Sequence, residues 1–274
     1  MKTKKGVIDM IIEKVRYPCP NPELRLYKVT YKSEGLRVKG YLVEPKEEKI
    51  YSGLLYLRGG IRNVGKVRVP RIIQLASYGF VVFAPFYRGN DGGEGWEDFA
   101  YLDRYDAMNG FSILKNHKNV NKEAIHVFGF SRGGLMALLT ACYLPEVCSV
   151  VTWGGVSDMF LAYEERIDLR RMLKRVIGGT PRKYPKRYEA RTIFSYLPSL
   201  QASVLIIHGE KDQNVGVEHA EKLQHALERL GKNVMYWKYE NEGHIFPFHL
   251  QKEVTEKMLM WMKGIERPSF IEDK

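Results

Sequence analysis

The sequence contains few cysteines: only Cys19, Cys142 and Cys148 occur among 274 residues. Their number is odd and their spacing matches no metal-binding motif, so we predict neither a disulfide framework nor a zinc site. Small apolar side chains that are buried or half-buried are expected at these positions. The low cysteine content is typical of a protein of the reducing cytoplasm.

Long apolar runs are also missing. The sequence contains no stretch of about 18 consecutive apolar residues, which excludes a predicted membrane-spanning helix. Residues 1–17 carry lysines but lack the apolar segment and the small-residue cleavage site of a signal peptide. Within them, Ile8, Ile11, Ile12 and Val15 are spaced like one face of a short helix, which is predicted there. We therefore expect a cytoplasmic protein without a membrane partner.

Acidic residues are scarce relative to basic ones, and the net charge is +11. Such a charge could attract nucleic acid, but the basic residues do not gather in one basic and aromatic module. The densest block, residues 166–191, also contains Asp168 and Glu189 and is interpreted as a solvated helical face. A cationic rim that favours anionic substrates is the alternative. No nucleic-acid partner is predicted.

Alternating strand and helix patterns fill most of the chain. Residues 25–31 and 36–43 alternate in polarity around a turn and predict an antiparallel hairpin. Continuous apolar runs then predict buried strands at 51–57, 80–84, 124–128, 147–153, 204–208 and 234–239. Helices are predicted between and after them, at 71–78, 101–116, 131–143, 218–230 and 249–262. This order predicts an α/β fold with a mostly parallel, twisted sheet flanked by helices on both sides.

Residues 156–200 interrupt the alternation with helical, strongly charged sequence. They predict a small cap-like helical insertion at the carboxyl edge of the sheet, where open α/β sheets bind their ligands. The chain is thus predicted to divide into an N-terminal extension (1–24), a single α/β domain (25–267) and a C-terminal tail (268–274).

The segment Gly129-Phe130-Ser131-Arg132-Gly133, followed by Gly134, matches the G-x-S-x-G nucleophile elbow. A predicted strand ends just before it and a predicted helix begins at Ser131. A serine on such a sharp turn is exposed at the sheet edge, where the helix N-terminus favours developing negative charge. Ser131 is therefore the predicted nucleophile, and a glycine-rich turn without chemistry is the alternative.

A serine hydroxyl needs a base, normally histidine, which a carboxylate orients. The elbow predicts the chain order Ser, Asp/Glu, His. Among seven histidines, His244 lies in a loop directly after a strand and before a helix, and it is the predicted base. His219 and His225 fall in a charged helix and are expected to face solvent.

The acid is expected in a loop after the carboxyl end of a strand. Asp212, which follows the strand at 204–208, satisfies this condition and is the predicted acid. Glu210 is a rival in the same loop, and Asp158 follows the preceding strand. Asp212 could otherwise cap the helix that begins near residue 218.

An oxyanion hole requires two backbone N–H groups that point at the developing alkoxide. The elbow predicts one from Arg132 and another from the loop after the first buried strand, at Gly60 or Ile61. An ordinary turn at Gly59-Gly60 is the alternative. This chemistry requires no metal and no cofactor, and none is predicted.

Further motifs make the chain resemble the catalytic domain of the prolyl oligopeptidase family over residues 25–265. They are Tyr87-Arg88-Gly89-Asn90, the acidic pair Asp103 and Asp106, the segment 165–188, His208-Gly209-x-x-Asp212-x-x-Val215, and Glu242-Gly243-His244. The resemblance implies the α/β-hydrolase fold. It also implies a serine hydrolase that forms an acyl-enzyme through Ser131, His244 and Asp212.

Two departures from that family concern the substrate. The oligopeptidases carry a β-propeller before the hydrolase domain, and none is expected in residues 1–24. Arg58 also stands where many relatives have histidine. A peptidase-like enzyme is predicted, with a carboxylesterase of small esters as the alternative and a non-catalytic binding protein of the same fold as a second one. The expected partner is a short peptide or a small molecule, and no feature indicates an oligomeric state.

Overall fold

The apolar segments that recur after residue 51 become the parallel strands of one sheet. The computed structural model describes residues 10–62 and 64–266. The strands are β1 (Ile11–Tyr17), β2 (Leu24–Ser33), β3 (Leu36–Pro45), β4 (Tyr51–Leu57), β5 (Phe80–Pro85), β6 (Val120–Phe130), β7 (Ser149–Trp153), β8 (Ser203–Gly209) and β9 (Val234–Tyr239). The sequence predicted eight of these nine strands.

The sheet has the order β1-β2-β3-β5-β4-β6-β7-β8-β9. Strands β5, β4, β6, β7, β8 and β9 pair in parallel, whereas β1, β2 and β3 add an antiparallel edge. Every residue of β4, β5 and β7 is buried, as expected for strands covered on both faces. The predicted α/β-hydrolase architecture is confirmed.

Helices cover both faces of the sheet. They are α1 (Val69–Ser77), α2 (Arg104–Lys115), α3 (Arg132–Tyr143), α4 (Met159–Glu165), α5 (Arg170–Leu173), α6 (Pro185–Glu189), α7 (Glu218–Arg229) and α8 (Phe248–Ile265). Helices α2, α3 and α7 share one apolar core, and α1 and α8 share the other. None of the helices in the described ranges is long and apolar enough to span a bilayer.

The helix predicted near the N-terminus is wrong. Residues Ile11–Tyr17 form β1, which pairs antiparallel with β2 and extends the sheet into the segment predicted as an extension. β1 is an edge strand and is exposed along almost its whole length. Its side chains therefore do not alternate between buried and exposed, which is the pattern that would have identified a strand. Ile8 and the tail predicted at 268–274 lie outside the described residues.

The segment between β7 and β8 contains α4, α5 and α6. Arg191, at the end of its basic block, is buried rather than solvated, and its Nε donates to the carbonyl of Asp98 at 3.0 Å. Arg104 donates to the carbonyl of Ala190 from the other side. These bonds hold the segment against the loop that follows β5 and against the start of α2.

Glu266, which follows α8, bonds to Ser52 of β4 and His126 of β6, and we call these three residues the polar latch. Glu266 Oε1 accepts from the Ser52 hydroxyl at 2.6 Å and contacts Nε2 of the buried His126 at 3.2 Å. Burial tends to raise the pKa of the Glu266 carboxyl, but the hydrogen bonds from His126 and Ser52 outweigh it and lower this pKa below its usual value.

Glu266→Ala should lower the free energy of unfolding by about 1–3 kcal/mol, because it leaves buried donors without an acceptor. A lowered folded-state pKa means that this contribution is complete above the usual pKa of glutamate and is lost as the pH falls through the folded-state value. Urea unfolding at neutral and at acidic pH checks both points. The control is Glu253→Ala, which removes an exposed pair with Lys257 and should cost about 0.5 kcal/mol or less. Equal losses for the two variants would refute the latch.

Candidate active site

Ser131 occupies a sharp turn between β6 and α3. Its backbone has φ 58° and ψ −125°, a strained conformation for a residue with a side chain. Its N–H donates to the carbonyl of Trp153 at 3.0 Å, which fixes the turn against β7. The motif glycines are required by close packing: a Cβ at Gly129 would collide with the carbonyl of Gly133, and one at Gly133 with the carbonyl of Leu57.

Asp212 and His244 are hydrogen-bonded to each other, with 2.7 Å between Oδ2 and Nδ1. The second carboxylate oxygen of Asp212 accepts the N–H groups of Asn214 at 2.8 Å and Val215 at 3.0 Å. Burial alone would raise the pKa of the Asp212 carboxyl. The hydrogen bond and charge of His244, with the two backbone N–H groups, outweigh burial and lower that pKa, which favours the carboxylate.

The rival acids have other partners. Glu210 forms an ion pair with Lys238 at 2.9 Å. Asp158 caps α4 by accepting the N–H of Phe160 at 2.9 Å. Of the three candidates, the one bonded to His244 is Asp212.

The imidazole of His244 lies beside the nucleophile turn. Its ring centroid is 4.8 Å from that of Phe130, the residue before Ser131. Gly154, which follows β7, lies so close that a Cβ there would be 3.1 Å from His244 Nδ1 and 3.2 Å from Asp212 Oδ2. The segments that follow β6, β8 and β9 thereby bring the predicted nucleophile, acid and base to one edge of the sheet, beside Gly154 at the end of β7.

The loop after β4 lies against the nucleophile. A Cβ on Gly59 would be 2.7 Å from Cβ of Ser131, so only glycine allows this approach. Gly60 and Ile61 follow in that loop, and Arg132 opens α3 directly after Ser131. We call residues 58–62, which include the predicted donors Gly60 and Ile61, the oxyanion loop. The backbone segments predicted to supply the two N–H donors therefore flank Ser131.

An ion cluster lies beneath this loop, and sequence reasoning did not find its central residue. Glu97 Oε1 accepts from Arg58 Nη2 at 2.5 Å and from Arg132 Nη2 at 2.9 Å. Arg132 Nη1 lies 3.4 Å from Asp103 Oδ2. We call Arg58, Glu97, Asp103 and Arg132 the buried ion cluster, and all four residues are nearly inaccessible to solvent. The isolated position of Glu97 in a glycine-rich loop gave no pattern that could identify it.

The prediction that His219 faces solvent is wrong, whereas His225 is exposed as expected. His219 is fully buried, and its Nδ1 lies 3.2 Å from the N–H of Ser157. Since Nδ1 accepts there, Nε2 carries the proton that is directed at Glu165 Oε1, 3.1 Å away. The apolar spacing of Ala220 and Leu223 on α7 marks the buried face that also contains His219.

Comparison with known proteins identifies the family. The model of the prolyl oligopeptidase family matches residues 67–265. A Bacillus subtilis protein named uncharacterized peptidase YtmA is 56% identical over 256 residues, which are 93% of this chain and 100% of that protein.

Solved structures show the same fold. A puromycin-hydrolyzing peptidase of Mycobacterium tuberculosis aligns with a TM-score of 0.79 at 21% identity, over 90% of this chain and 40% of that one. Acetyl xylan esterase 1 of a Thermoanaerobacterium species aligns with a TM-score of 0.70 at 17% identity, over 90% of this chain and 87% of that one.

Gly154→Ala should separate the imidazole from the carboxylate, because the new Cβ meets both. Turnover should fall measurably but by less than about 10²-fold, the cost of a misplacement of about 1 Å, because contacts of 3.1 and 3.2 Å require only a small displacement. The rate of hydrolysis of an activated p-nitrophenyl ester measures it. Gly35→Ala is the matched control, since Gly35 also has positive φ but nothing lies within 4 Å of its Cβ position. Both variants should lose about 1–2 kcal/mol of stability to the left-handed backbone. If both keep full turnover, close packing at Gly154 is not needed.

Proposed function

The chain belongs to the prolyl oligopeptidase family, and on that premise we propose that it hydrolyses short peptides through an acyl-enzyme on Ser131. Members of this family are serine peptidase-like hydrolases, and this chain is one of them. The observation that carries the finer proposal is the 2.7 Å bond between Asp212 and His244 beside the strained turn at Ser131.

The proposed reaction begins when the Ser131 oxygen attacks the substrate carbonyl. His244 takes the hydroxyl proton on Nε2, because its Nδ1 is directed at Asp212. The backbone N–H of Arg132 and one from Gly60 or Ile61 stabilise the oxyanion. As the tetrahedral intermediate collapses, the proton passes to the leaving amine and the acyl-enzyme remains. Water then attacks with the same base, and Ser131 regains its proton as the acid is released.

The environment of Asp212 suits the orienting role in this mechanism. Its lowered pKa keeps the carboxylate negative where an imidazolium forms next to it. The N–H groups of Asn214 and Val215 fix one oxygen, so the other oxygen is aimed at the histidine without any contribution from substrate. The acid is thus preorganised by its own loop.

A carboxylesterase is the second candidate, because ester cleavage uses the same steps with an alcohol as leaving group. It is favoured by the likeness to acetyl xylan esterase 1, which covers 87% of that protein without a large unmatched domain. The peptidase is preferred because the Bacillus subtilis relative with 56% identity is named a peptidase.

A fluorophosphonate probe should label the protein at Ser131, because the probe reports an activated serine nucleophile. Labelling followed by peptide mass analysis identifies the residue. Ser131→Ala should abolish labelling, and Asp212→Asn should slow turnover by as much as about 10⁴-fold. An intact protein that resists labelling would refute the mechanism and favour a non-catalytic binding protein of the same fold.

Substrate preference is tested with p-nitrophenyl esters of several chain lengths against aminoacyl- and prolyl-arylamides. A peptidase should cleave at least one arylamide with a kcat/KM well above the Ser131→Ala blank. An esterase should cleave the esters alone, since an amine is the poorer leaving group. Cleavage restricted to esters across the whole panel would replace the peptidase proposal by the esterase.

A further inference from the structure

One buried carboxylate contacts both segments that carry the proposed oxyanion donors. Glu97 Oε1 binds the side chain of Arg132, the residue whose N–H is the proposed first donor, at 2.9 Å. The same oxygen binds Arg58 at the start of the oxyanion loop at 2.5 Å, and Oε2 accepts the backbone N–H of Arg62 at its end, also at 2.5 Å. The loop that supplies the second donor is therefore held at both ends by one side chain.

Glu97 pairs with both arginines of the buried ion cluster, whereas Asp103 pairs with Arg132. Both guanidinium groups lie over the ring of Tyr87, at 4.9 Å for Arg58 and 4.8 Å for Arg132. Burial and the nearby charge of Arg132 lower the pKa of Arg58. Burial would raise the pKa of Glu97, but the charges of both arginines outweigh it and keep the carboxylate ionised. Without that charge, Arg132 would keep Asp103 as a partner, whereas Arg58 would lose its carboxylate while the charge of Arg132 remains nearby.

We propose that Glu97 is a positioning residue that fixes the spacing between the N–H of Arg132 and the N–H groups of the oxyanion loop. The role rests on the proposed acyl-enzyme mechanism. An oxyanion hole acts only if its donors are 2.7–3.1 Å from the place where the alkoxide will form. Glu97 supplies this spacing without touching substrate, so it affects the transition state and leaves the binding of the ground state unchanged.

The test compares Glu97→Gln with Asp106→Asn in the full-length chain. Glutamine keeps the size of the side chain but offers one acceptor oxygen to donors that now use two, and it removes the charge. Asp106 is an equally buried carboxylate in the same region, where it binds Arg88 and Ser33 and does not contact the oxyanion loop. It therefore reports the cost of removing a buried charge without disturbing the oxyanion hole.

Three quantities are measured for each protein: kcat and KM on the best ester or arylamide, the inhibition constant of a trifluoromethyl ketone transition-state analogue, and the urea midpoint. For Glu97→Gln we expect kcat to fall about 10²-fold and KM to change less than about threefold. The inhibition constant should rise in proportion to the loss of kcat/KM. Asp106→Asn should keep kcat within about threefold even if its urea midpoint falls further.

The proposal is overturned if Glu97→Gln keeps its kcat, or if Asp106→Asn loses as much kcat as Glu97→Gln. If Glu97→Gln does not fold, Glu97→Asp replaces it, since aspartate keeps the charge but is one methylene shorter. That variant should show a smaller kcat loss at unchanged KM, and an unchanged kcat would equally overturn the role. A parent protein that resists the fluorophosphonate probe refutes the acyl-enzyme mechanism instead, which separates the two failures.

Discussion

Backbone segments at the carboxyl edge of the sheet approach Ser131 so closely that side chains are excluded between them. Gly59 faces the nucleophile, Gly133 faces the carbonyl of Leu57, and Gly154 faces the bonded pair of histidine and aspartate. This packing explains how Ser131 keeps its strained backbone conformation. Such a conformation persists only where the surrounding structure holds the residue in place. It also helps to set the distances in the site, because Ser131 follows β6 directly, and Asp212 and His244 lie in the loops after β8 and β9, strands that the sheet holds in register.

Buried arginine–carboxylate pairs also hold the loops around Ser131 in place. The net charge of +11 suggests a basic surface, yet Arg58, Arg88, Arg132 and Arg191 are buried. Three of them pair with carboxylates of the loop and helix that follow β5. Buried ion pairs are weak evidence for stability, because desolvation offsets much of their attraction. Their value lies in directionality: Arg88, which is bidentate to Asp106, holds its loop at a defined distance, which apolar contacts do not. Some of the arginines that give the net positive charge therefore hold loops in place and are inaccessible from the surface.

Local patterns predicted most of this protein, and the exceptions have physical causes. Continuous apolar runs marked the buried strands, and chain order after the elbow selected Asp212 and His244 from several acids and histidines. Strand β1 was not predicted because an exposed edge strand lacks the alternation of buried and exposed side chains. The burial of His219 was not predicted because the charged residues next to it in the sequence made α7 look solvent-exposed. Glu97 was not identified because its three contacts join residues that are far apart in the sequence, and no spacing rule reveals such contacts. Such long-range contacts are visible only when the strands have been assembled.

Peptide and ester cleavage share the machinery around Ser131, so the choice between them must come from the elements that shape the substrate pocket. We expect the helical segment α4–α6 to be one of these elements. Arg191, which follows α6, binds the carbonyl of Asp98 in the loop after β5, and Arg104 at the start of α2 binds the carbonyl of Ala190. That same loop carries Glu97, which contacts both ends of the oxyanion loop. On this proposal, substrate selection and stabilisation of the oxyanion both depend on the loop after β5. A substitution in the helical segment that displaces Asp98, the residue next to Glu97, is consequently expected to change kcat as well as KM, because it also bears on the donors beside Ser131.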